Sequence, residues 1–180
     1  LSDVKAHHDL DVGPDGRIFV LTAQWNDVSE LRRDYLTILS SGGKVTERID
    51  LLDAMRNSRY ADYLPAEIKG DVLHTNNVEV LPASLEGEFP GFEEGDLLLS
   101  FRDIDTIAVM DGKSHVIKWA VRHLTRRQHD PDFLPGGRIM IFDNLYALSE
   151  KSIGSRVLTY DISSGRPVWS YNHQDFYSPI

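Results

Sequence analysis

Five polar side chains stand beside apolar runs in three separate parts of this 180-residue chain, and their types suit chemistry on a charged ester. They are His8, His74, Asn76, Arg102 and His129. Histidine changes protonation near neutral pH and serves as nucleophile, general acid or general base. The planar guanidinium of arginine matches the oxygens of sulfate, phosphate or carboxylate. Brought together, these residues would form a site that transfers or hydrolyses an oxyanion ester.

Other interpretations of the same residues stay open at this level. Three histidines alone suggest zinc or another divalent metal, so a metal-assisted hydrolase is one alternative. We expect no metal, because Arg102 in the same pocket would repel a cation and cannot ligate it. Histidines of this kind also bond the backbone of a neighbouring repeat. The protein would then be a non-catalytic module that binds another protein or a glycan.

An internal repeat explains why the three histidines should meet. The stretch KAHHDLDVGPDGRIFVLTA, residues 5–23, matches RRQHDPDFLPGGRIMIFDN, residues 126–144, with His8 aligned to His129. A middle copy begins at His74 and carries a Gly-, Pro- and Glu-rich insertion. Equivalent positions of successive repeats face one another, so this alignment predicts that the three side chains converge.

Each copy continues as a strand, a glycine-containing turn and a second strand, in DYLTILSSGGKVTERIDL, DTIAVMDGKSHVIKWAV and SRVLTYDISSGRPVWSY. Alternating Val, Ile, Thr, Tyr and Trp are typical of half-buried strands, and the glycines suit hairpin turns. Four strands per copy predict the blades of a β-propeller. We therefore predict an all-β fold of about three four-stranded antiparallel blades. They form one partial propeller domain over residues 1–180, with repeats that start near residues 8, 74 and 129.

Three blades do not close a ring, because propellers need about four to eight. The chain begins with Leu1 rather than Met. We therefore expect it to be part of a longer protein, with further blades supplied by the rest of that chain or by another chain.

Some segments have their own predictions. Apolar residues at helical spacing predict one short helix near residues 51–63. Trp119 and Trp169 alternate within apolar strands, so we expect both to pack in the core or between blades. Residues 150–155 are typical of an exposed loop. Asn144 follows its apolar run as Arg102 follows its own, which places both at the same rim.

Composition excludes several classes of function. The net charge of -9 argues against a nucleic-acid binder, whose footprint is a basic patch. No apolar run approaches the roughly 20 residues of a membrane-spanning helix. Cysteine is absent, so neither a disulfide framework nor a thiolate site exists.

Several motifs together resemble one known family. They are HHD at residues 7–9, HTNNVEVL at 74–81, SFRDIDTIAVMD at 100–111, QHDPDFLPGGRIMIFDN at 128–144 and the hairpin that ends at Tyr171. The chain is similar in these motifs to the PAPS-independent arylsulfate sulfotransferases. The resemblance implies a six-bladed β-propeller without a cofactor. It also implies a transferase that moves a sulfuryl group from an aryl sulfate to a phenol through a sulfohistidine.

The resemblance also assigns roles and a compartment. His129 would be the nucleophile, while His74, Asn76 and Arg102 would bind the sulfuryl oxygens. His8 would protonate the departing phenolate or deprotonate the acceptor, with His7 as the alternative for that role. The partners would be small aryl sulfates and phenols, and the protein would be periplasmic or secreted.

Overall fold

The computed structural model describes residues 5–144, residues 154–173 and Phe176. Three antiparallel sheets account for most of this chain. The first contains β1 (Lys5–Val12), β2 (Ile18–Asn26), β3 (Leu31–Leu39) and β4 (Val45–Asp50), in that order. Each strand is joined to the next by a tight turn. The turn between β1 and β2 requires a left-handed backbone, and Gly16 supplies it with a φ of 79°.

The second and third sheets repeat this arrangement. The second contains β6 (Thr75–Val80), β7 (Leu97–Phe101), β8 (Thr106–Met110) and β9 (Ile117–Arg122). The third contains β10 (His129–Leu134), β11 (Arg138–Asp143), β12 (Arg156–Asp161) and β13 (Arg166–Asn172). The predicted four-stranded antiparallel blades of a β-propeller are therefore confirmed, with β1, β6 and β10 as the first strands of their sheets.

One strand was not predicted. β5 (Gly70–Asp71) pairs in parallel with the start of β3, where Gly70 lies opposite Leu31 and Asp71 lies opposite Arg32. The bridge is only two residues long, too short for any hydrophobic periodicity to show in the sequence. It ties the connection between the first two blades to the first blade.

The predicted helix is confirmed as α1 (Leu51–Arg56). Asp50 caps it, since its carboxylate accepts the backbone N–H of Asp53 at 3.0 Å. The helix ends at Arg56, and the Ser58 hydroxyl donates to the Met55 carbonyl at 2.8 Å just beyond it. A separate 3₁₀ turn then occupies the end of the predicted range, at Ala61–Tyr63. Within the described ranges, no helix has the length and apolar character that crossing a membrane requires.

Two apolar clusters hold the blades together. One joins the first blade to the second through Phe19, Leu21 and Leu99, and the other joins the second to the third through Leu98 and Ile141. The clusters alternate along β7, because neighbouring residues of a strand point to opposite faces. β7 is accordingly buried on both faces.

The two tryptophan predictions have different outcomes. Trp119 packs against Phe92 and Tyr160, as expected. The prediction for Trp169 is wrong, because its side chain is 53% exposed. It lies on β13, the last strand of its sheet, and all seven residues of this strand are exposed. Of the predicted loop at 150–155, residues 150–153 lie outside the described residues, and Gly154 and Ser155 are buried rather than exposed.

Carboxylates join the first strands of neighbouring blades. Asp9 Oδ2 accepts the Val78 N–H at 3.0 Å, and Asp11 Oδ2 accepts the Val80 N–H at 2.7 Å. β1 and β6 belong to different sheets, so these N–H groups would otherwise lack a partner in the interior. The same contact recurs at the next junction, where Glu79 Oε2 accepts the Phe133 N–H at 2.7 Å.

Glu79 has an unusual acidity. Burial, together with the negative charges of Asp132, Asp11 and Asp130, raises its pKa from 4.5 to about 8. A carboxyl group whose folded pKa is raised binds a proton in the folded state that the unfolded chain has released. Its contribution to stability is therefore lost as pH rises from about 4.5 to about 8.

We predict that Glu79→Gln stabilises the protein at pH 8 by about 1 to 3 kcal/mol relative to wild type, because the amide imitates the protonated acid. At pH 4.5 the two proteins should have similar stability. Chemical denaturation across this pH range measures the difference, and the exposed Glu67→Gln is the control that should show no such pH dependence. A Glu79→Gln protein that follows the wild-type pH profile would contradict the raised pKa.

Candidate functional site

The site lies where the first strands of the blades lose their regular pairing. In β1 the register shifts between Ala6 and Leu10, and His8 within this bulge has a left-handed φ of 55°. His74, immediately before β6, has a φ of 47°. Such backbone costs about 1 to 3 kcal/mol for a residue other than glycine and re-aims the side chain. The two rings meet edge to face, with centroids 5.1 Å apart.

His129 is the first residue of β10 and is half-buried. Its Nδ1 lies 3.1 Å from the Arg127 carbonyl oxygen and 2.9 Å from Asn144 Nδ2. The two contacts select different tautomers. A protonated Nδ1 donates to the Arg127 carbonyl and leaves the lone pair on Nε2, whereas an unprotonated Nδ1 accepts from the Asn144 amide. Burial lowers the pKa of His129, and the charges of Arg102 and His74 lower it further. The imidazole of His129 therefore stays neutral down to a lower pH than that of an ordinary histidine.

Arg102 and Asn76 approach His129 from the second blade. Arg102 is 8% exposed, and its Nη1 donates to Asp103 Oδ1 at 2.9 Å, while its buried Nε has no hydrogen-bond partner among the described residues. Asn76 Nδ2 donates to the carbonyl of Gln128 at 2.9 Å. Buried polar atoms normally have partners, so the vacant donor of Arg102 is a feature of a ligand site.

Gln128 connects these elements. The residue is fully buried, and its Nε2 lies within hydrogen-bond distance of Ser100 Oγ, the Phe101 carbonyl and the Thr106 carbonyl. Its backbone carbonyl accepts the Asn76 bond described above. Because Arg102 follows Phe101 and His129 follows Gln128, this one side chain fixes the spacing between the arginine and the histidine.

A carboxylate holds His74. Asp71 Oδ2 lies 2.6 Å from His74 Nδ1, and Asp71 Oδ1 accepts the His74 backbone N–H at 3.0 Å. Arg32 Nη1 donates to the same Oδ2 at 2.7 Å, and Arg32 Nε forms an ion pair with the buried Asp34 at 3.0 Å. The Asp34 carboxylate in turn accepts the Thr75 N–H at 2.7 Å.

His7 and His8 form a pair at the edge of the site. Their Nδ1 atoms are 2.7 Å apart, so one must be protonated and donate to the other. Burial lowers the pKa of His7 to about 4, and Arg32 adds to the shift. The pKa of His8 is also lowered to about 4, by burial and by the neighbouring His7 and His74, although this residue is exposed overall. Both imidazoles are therefore neutral near pH 7 in the free protein.

The five residues predicted from the sequence thus surround one rim, where the first strands of the three blades begin. Comparison with known proteins adds the family. Residues 2–173 match the family described as "Arylsulfotransferase (ASST)".

The chain belongs to the arylsulfotransferase family.

Solved structures align with this arylsulfotransferase family member at low sequence identity, and the first of them shares its fold. A protein of unknown function from Bacteroides caccae aligns with 10% identity and a TM-score of 0.56, covering 97% of this chain and 48% of that protein. The quinohemoprotein alcohol dehydrogenase ADHIIG from Pseudomonas putida HK5 aligns with 14% identity and a TM-score of 0.42, covering 94% and 22%. The chain therefore spans about half or less of these proteins. Among curated proteins, none matches the chain.

The donor set at this rim suits an anion better than a metal ion. Asp71, His74 and Asp103 each place a ligand atom within 4.8 Å of the others, which is close enough for a metal. However, Arg32 already lies on Asp71, and Arg102 already lies on Asp103, at 2.7 and 2.9 Å. Two guanidinium groups would repel a divalent cation and leave the rim ready for a negatively charged group.

Sequence reasoning missed Asp71, Arg32 and the role of Gln128. Asp71 and Arg32 meet through the β5–β3 bridge, which carries no sequence pattern. The one available signal was the aspartate three residues before His74, a spacing at which a carboxylate can bond a following backbone N–H. Gln128 stood in the recognised Gln-His-Asp motif, but only the structure shows that its side chain is buried.

We predict that Arg102→Ala raises the pKa of His129 towards 6.5, because the substitution removes a positive charge that opposes protonation of the imidazole. NMR titration of the His129 ring measures the pKa. Arg166→Ala, on the exposed strand β13, is the matched control and should leave that pKa unchanged. An unaltered His129 titration in a folded Arg102→Ala protein would show that the two side chains do not interact.

Proposed function

We propose that this chain carries the catalytic rim of a sulfotransferase, which moves a sulfuryl group from an aryl sulfate ester to a phenol through a sulfohistidine at His129. The observation that carries the proposal is the arrangement at His129. A neutral, half-buried imidazole has its Nδ1 beside a backbone carbonyl and stands close to an arginine with a vacant buried donor. Membership of the arylsulfotransferase family supports the same chemistry.

In the first step, Nε2 of His129 attacks the sulfur of the bound ester. The N–S bond forms as the bond between sulfur and the aryl oxygen breaks, and the electron pair of that bond leaves with the phenolate. Nδ1–H of His129 stays on the Arg127 carbonyl, which disperses the positive charge of the sulfated imidazole. A covalent intermediate divides the transfer into two easier steps and gives ping-pong kinetics.

The sulfuryl oxygens gain negative charge in this step. Arg102 would donate to them from its vacant Nε, and Asn76 would donate the amide proton that the Gln128 carbonyl does not take. His74 would present Nε2, because Asp71 occupies its Nδ1. Donors fixed in advance around developing charge are commonly the largest single contribution to catalysis.

The paired histidines, His7 and His8, would donate a proton to the aryl oxygen of the donor and remove one from that of the acceptor. The arriving anionic ester offsets the positive charges at the rim, which raises the pKa of His8 and allows it to hold a proton. That proton passes to the departing phenolate. In the second step the neutral imidazole removes the proton of the acceptor phenol, whose oxygen attacks sulfur while the N–S electron pair returns to His129. The short contact between the rings makes the pair act together.

We also propose that further blades complete the ring, beginning beside β10. Asp132 aligns in the repeat with Asp11, whose carboxylate accepts an N–H from the next blade. Asp132 accepts no hydrogen bond from any residue in the described part of the chain, and burial and nearby acids raise its pKa. A strand placed beside β10 would supply the missing N–H donor.

We predict that His129→Asn lowers turnover of 4-nitrophenyl sulfate with a phenol acceptor by at least about 10³-fold, because the covalent route is lost. Release of 4-nitrophenol measures the rate. His123→Asn is the matched control, since His123 is an exposed histidine with no role in the proposed transfer, and should turn over at the wild-type rate.

The intermediate is tested directly on the same proteins. Incubation with 4-nitrophenyl sulfate and no acceptor should add the mass of one sulfuryl group to wild type, mapped to His129. Transfer at the wild-type rate by His129→Asn, or a label on another residue, contradicts the mechanism. Absence of turnover by the complete, folded wild type would favour the non-catalytic binding module instead.

We predict that Asp71→Asn lowers kcat/KM for the same ester by about 10- to 100-fold, the scale of one lost charge-stabilising donor. The amide removes the negative charge that Asp71 places beside His74 Nδ1 and Arg32, while Arg32 keeps its other ion pair, with Asp34. Steady-state kinetics measure the loss, and Asp62→Asn in the exposed 3₁₀ turn serves as the control. Unchanged kcat/KM in the Asp71→Asn protein would remove Asp71 from the mechanism.

A further inference from the structure

A cavity of about 700 Å³ opens beside the histidine pair on the first blade. Its walls include His7, His8, Ala23, Trp25 and Arg32, and Lys5 lies at its edge. Small-molecule sites commonly enclose 300 to 1,000 Å³. The cavity is therefore large enough for an organic group, and it adjoins the rim without containing His129 or Arg102.

The strand pairing explains how the cavity forms. Ala23 and Trp25 are two residues apart on β2, so their side chains share a face. Ala23 lies opposite Lys5 on β1, and Trp25 lies opposite Arg32 on β3. The small side chain of Ala23 leaves a space, and the indole of Trp25 forms one wall of it. Arg32 lies opposite Trp25 and is held in place by its hydrogen bond to Asp71, so this side of the cavity is fixed.

Trp25 stands out among the residues of this cavity. It is 51% exposed, which leaves a large flat aromatic surface facing solvent. Among the described residues that line the cavity, it is the only one with a large apolar ring. Planar aromatic ligands stack on such a surface and gain more than from burial alone.

We propose that this cavity is the subsite that holds the aryl group of both the donor ester and the acceptor phenol, with Trp25 as its stacking surface. The inference rests on the proposed sulfuryl transfer and identifies the residues that select its substrates. Trp25 thereby becomes a specificity-determining residue.

The positions of the histidines support this assignment. His8 lines the cavity, and its ring also lies 5.1 Å from that of His74, which belongs to the proposed sulfuryl site. An aryl group in the cavity would direct its oxygen towards His8 and its sulfur towards His74. The leaving group and the nucleophile His129 would then lie on different sides of the sulfur, as displacement requires. In a ping-pong reaction the donor phenol departs before the acceptor binds, so one cavity serves both.

The test measures binding of 4-nitrophenol, which has the ring but no sulfuryl group, by calorimetry. Trp25→Ala and Trp25→Leu should weaken binding by about 2- to 13-fold, since a stacked ring contributes on that scale. Trp25→Phe should retain most of the affinity. Trp169→Ala is the matched control, because Trp169 is as exposed as Trp25 but lies on the outermost strand of the third blade.

Kinetics provide the second arm. Trp25→Ala should raise KM for 4-nitrophenyl sulfate by a similar factor and change kcat less, because the sulfuryl site is untouched. An alkyl sulfate, if it is a substrate, should show a smaller change in KM. Unchanged 4-nitrophenol affinity in folded Trp25→Ala and Trp25→Leu proteins would overturn the subsite.

The two arms separate this inference from the proposed function. The binding arm needs no turnover, so it decides the subsite even if the wild-type protein transfers no sulfuryl group. Such inactivity would overturn the transfer while leaving a Trp25-dependent phenol site in place. Active transfer together with phenol binding that does not depend on Trp25 would overturn the subsite and leave the proposed transfer in place.

Discussion

The rest of the structure depends on one interaction, in which carboxylates of one blade accept backbone N–H groups of the next blade. The first strands of neighbouring blades lie side by side but do not pair as a sheet. Asp9, Asp11 and Glu79 supply acceptors that the missing sheet bonds would otherwise have provided. Asp34 does the same for Thr75 and so fixes the residue that follows His74. Each of these buried N–H groups would cost about 1 to 3 kcal/mol if left without a partner.

These contacts allow the site to tolerate an irregular backbone. His8 and His74 both have a left-handed φ, and the register of β10 shifts just after His129. A strand that paired regularly on both sides would point successive side chains alternately up and down its faces. The bulges break that alternation and turn the imidazoles towards one another. The regular parts of the same strands, anchored by the carboxylates, hold the bulges in position.

Much of the fold could be predicted from the sequence because hairpins are local. The turn glycines and alternating strands of each copy mark their own boundaries, and the segment predicted as a helix, residues 51–63, has apolar residues at helical spacing. The strand β5 could not be predicted, since two residues carry no period. The prediction that Trp169 is packed was wrong, because an alternating pattern identifies a strand but not whether another element covers it.

Some residues of the candidate site could likewise be predicted from the sequence, and others could not. Its three histidines open the three copies, and Arg102 follows an apolar run as Asn144 does, so the sequence displays these positions. Asp71 and Arg32 are 39 residues apart and meet only through the parallel bridge. Trp25 lies in an ordinary strand, and its relevance follows from the small neighbour that leaves space beside it. Residues that act through a local motif are visible in one sequence, and those that act through tertiary contacts are not.

The distribution of charge along the first strands has a further consequence for the site. The chain carries a net charge of -9, yet Arg32, Arg102 and the histidines gather at the rim. Asp11 lies three residues beyond His8 on β1, roughly 10 Å along the strand. Asp11 and Asp132 place negative charge below the rim. Their charges help to raise the pKa of Glu79, which therefore keeps its proton near neutral pH. An entering anion is thus attracted to the rim and repelled from the interior. In the proposed transfer, the same carboxylates that join the blades would also keep the sulfuryl group at the depth of His129.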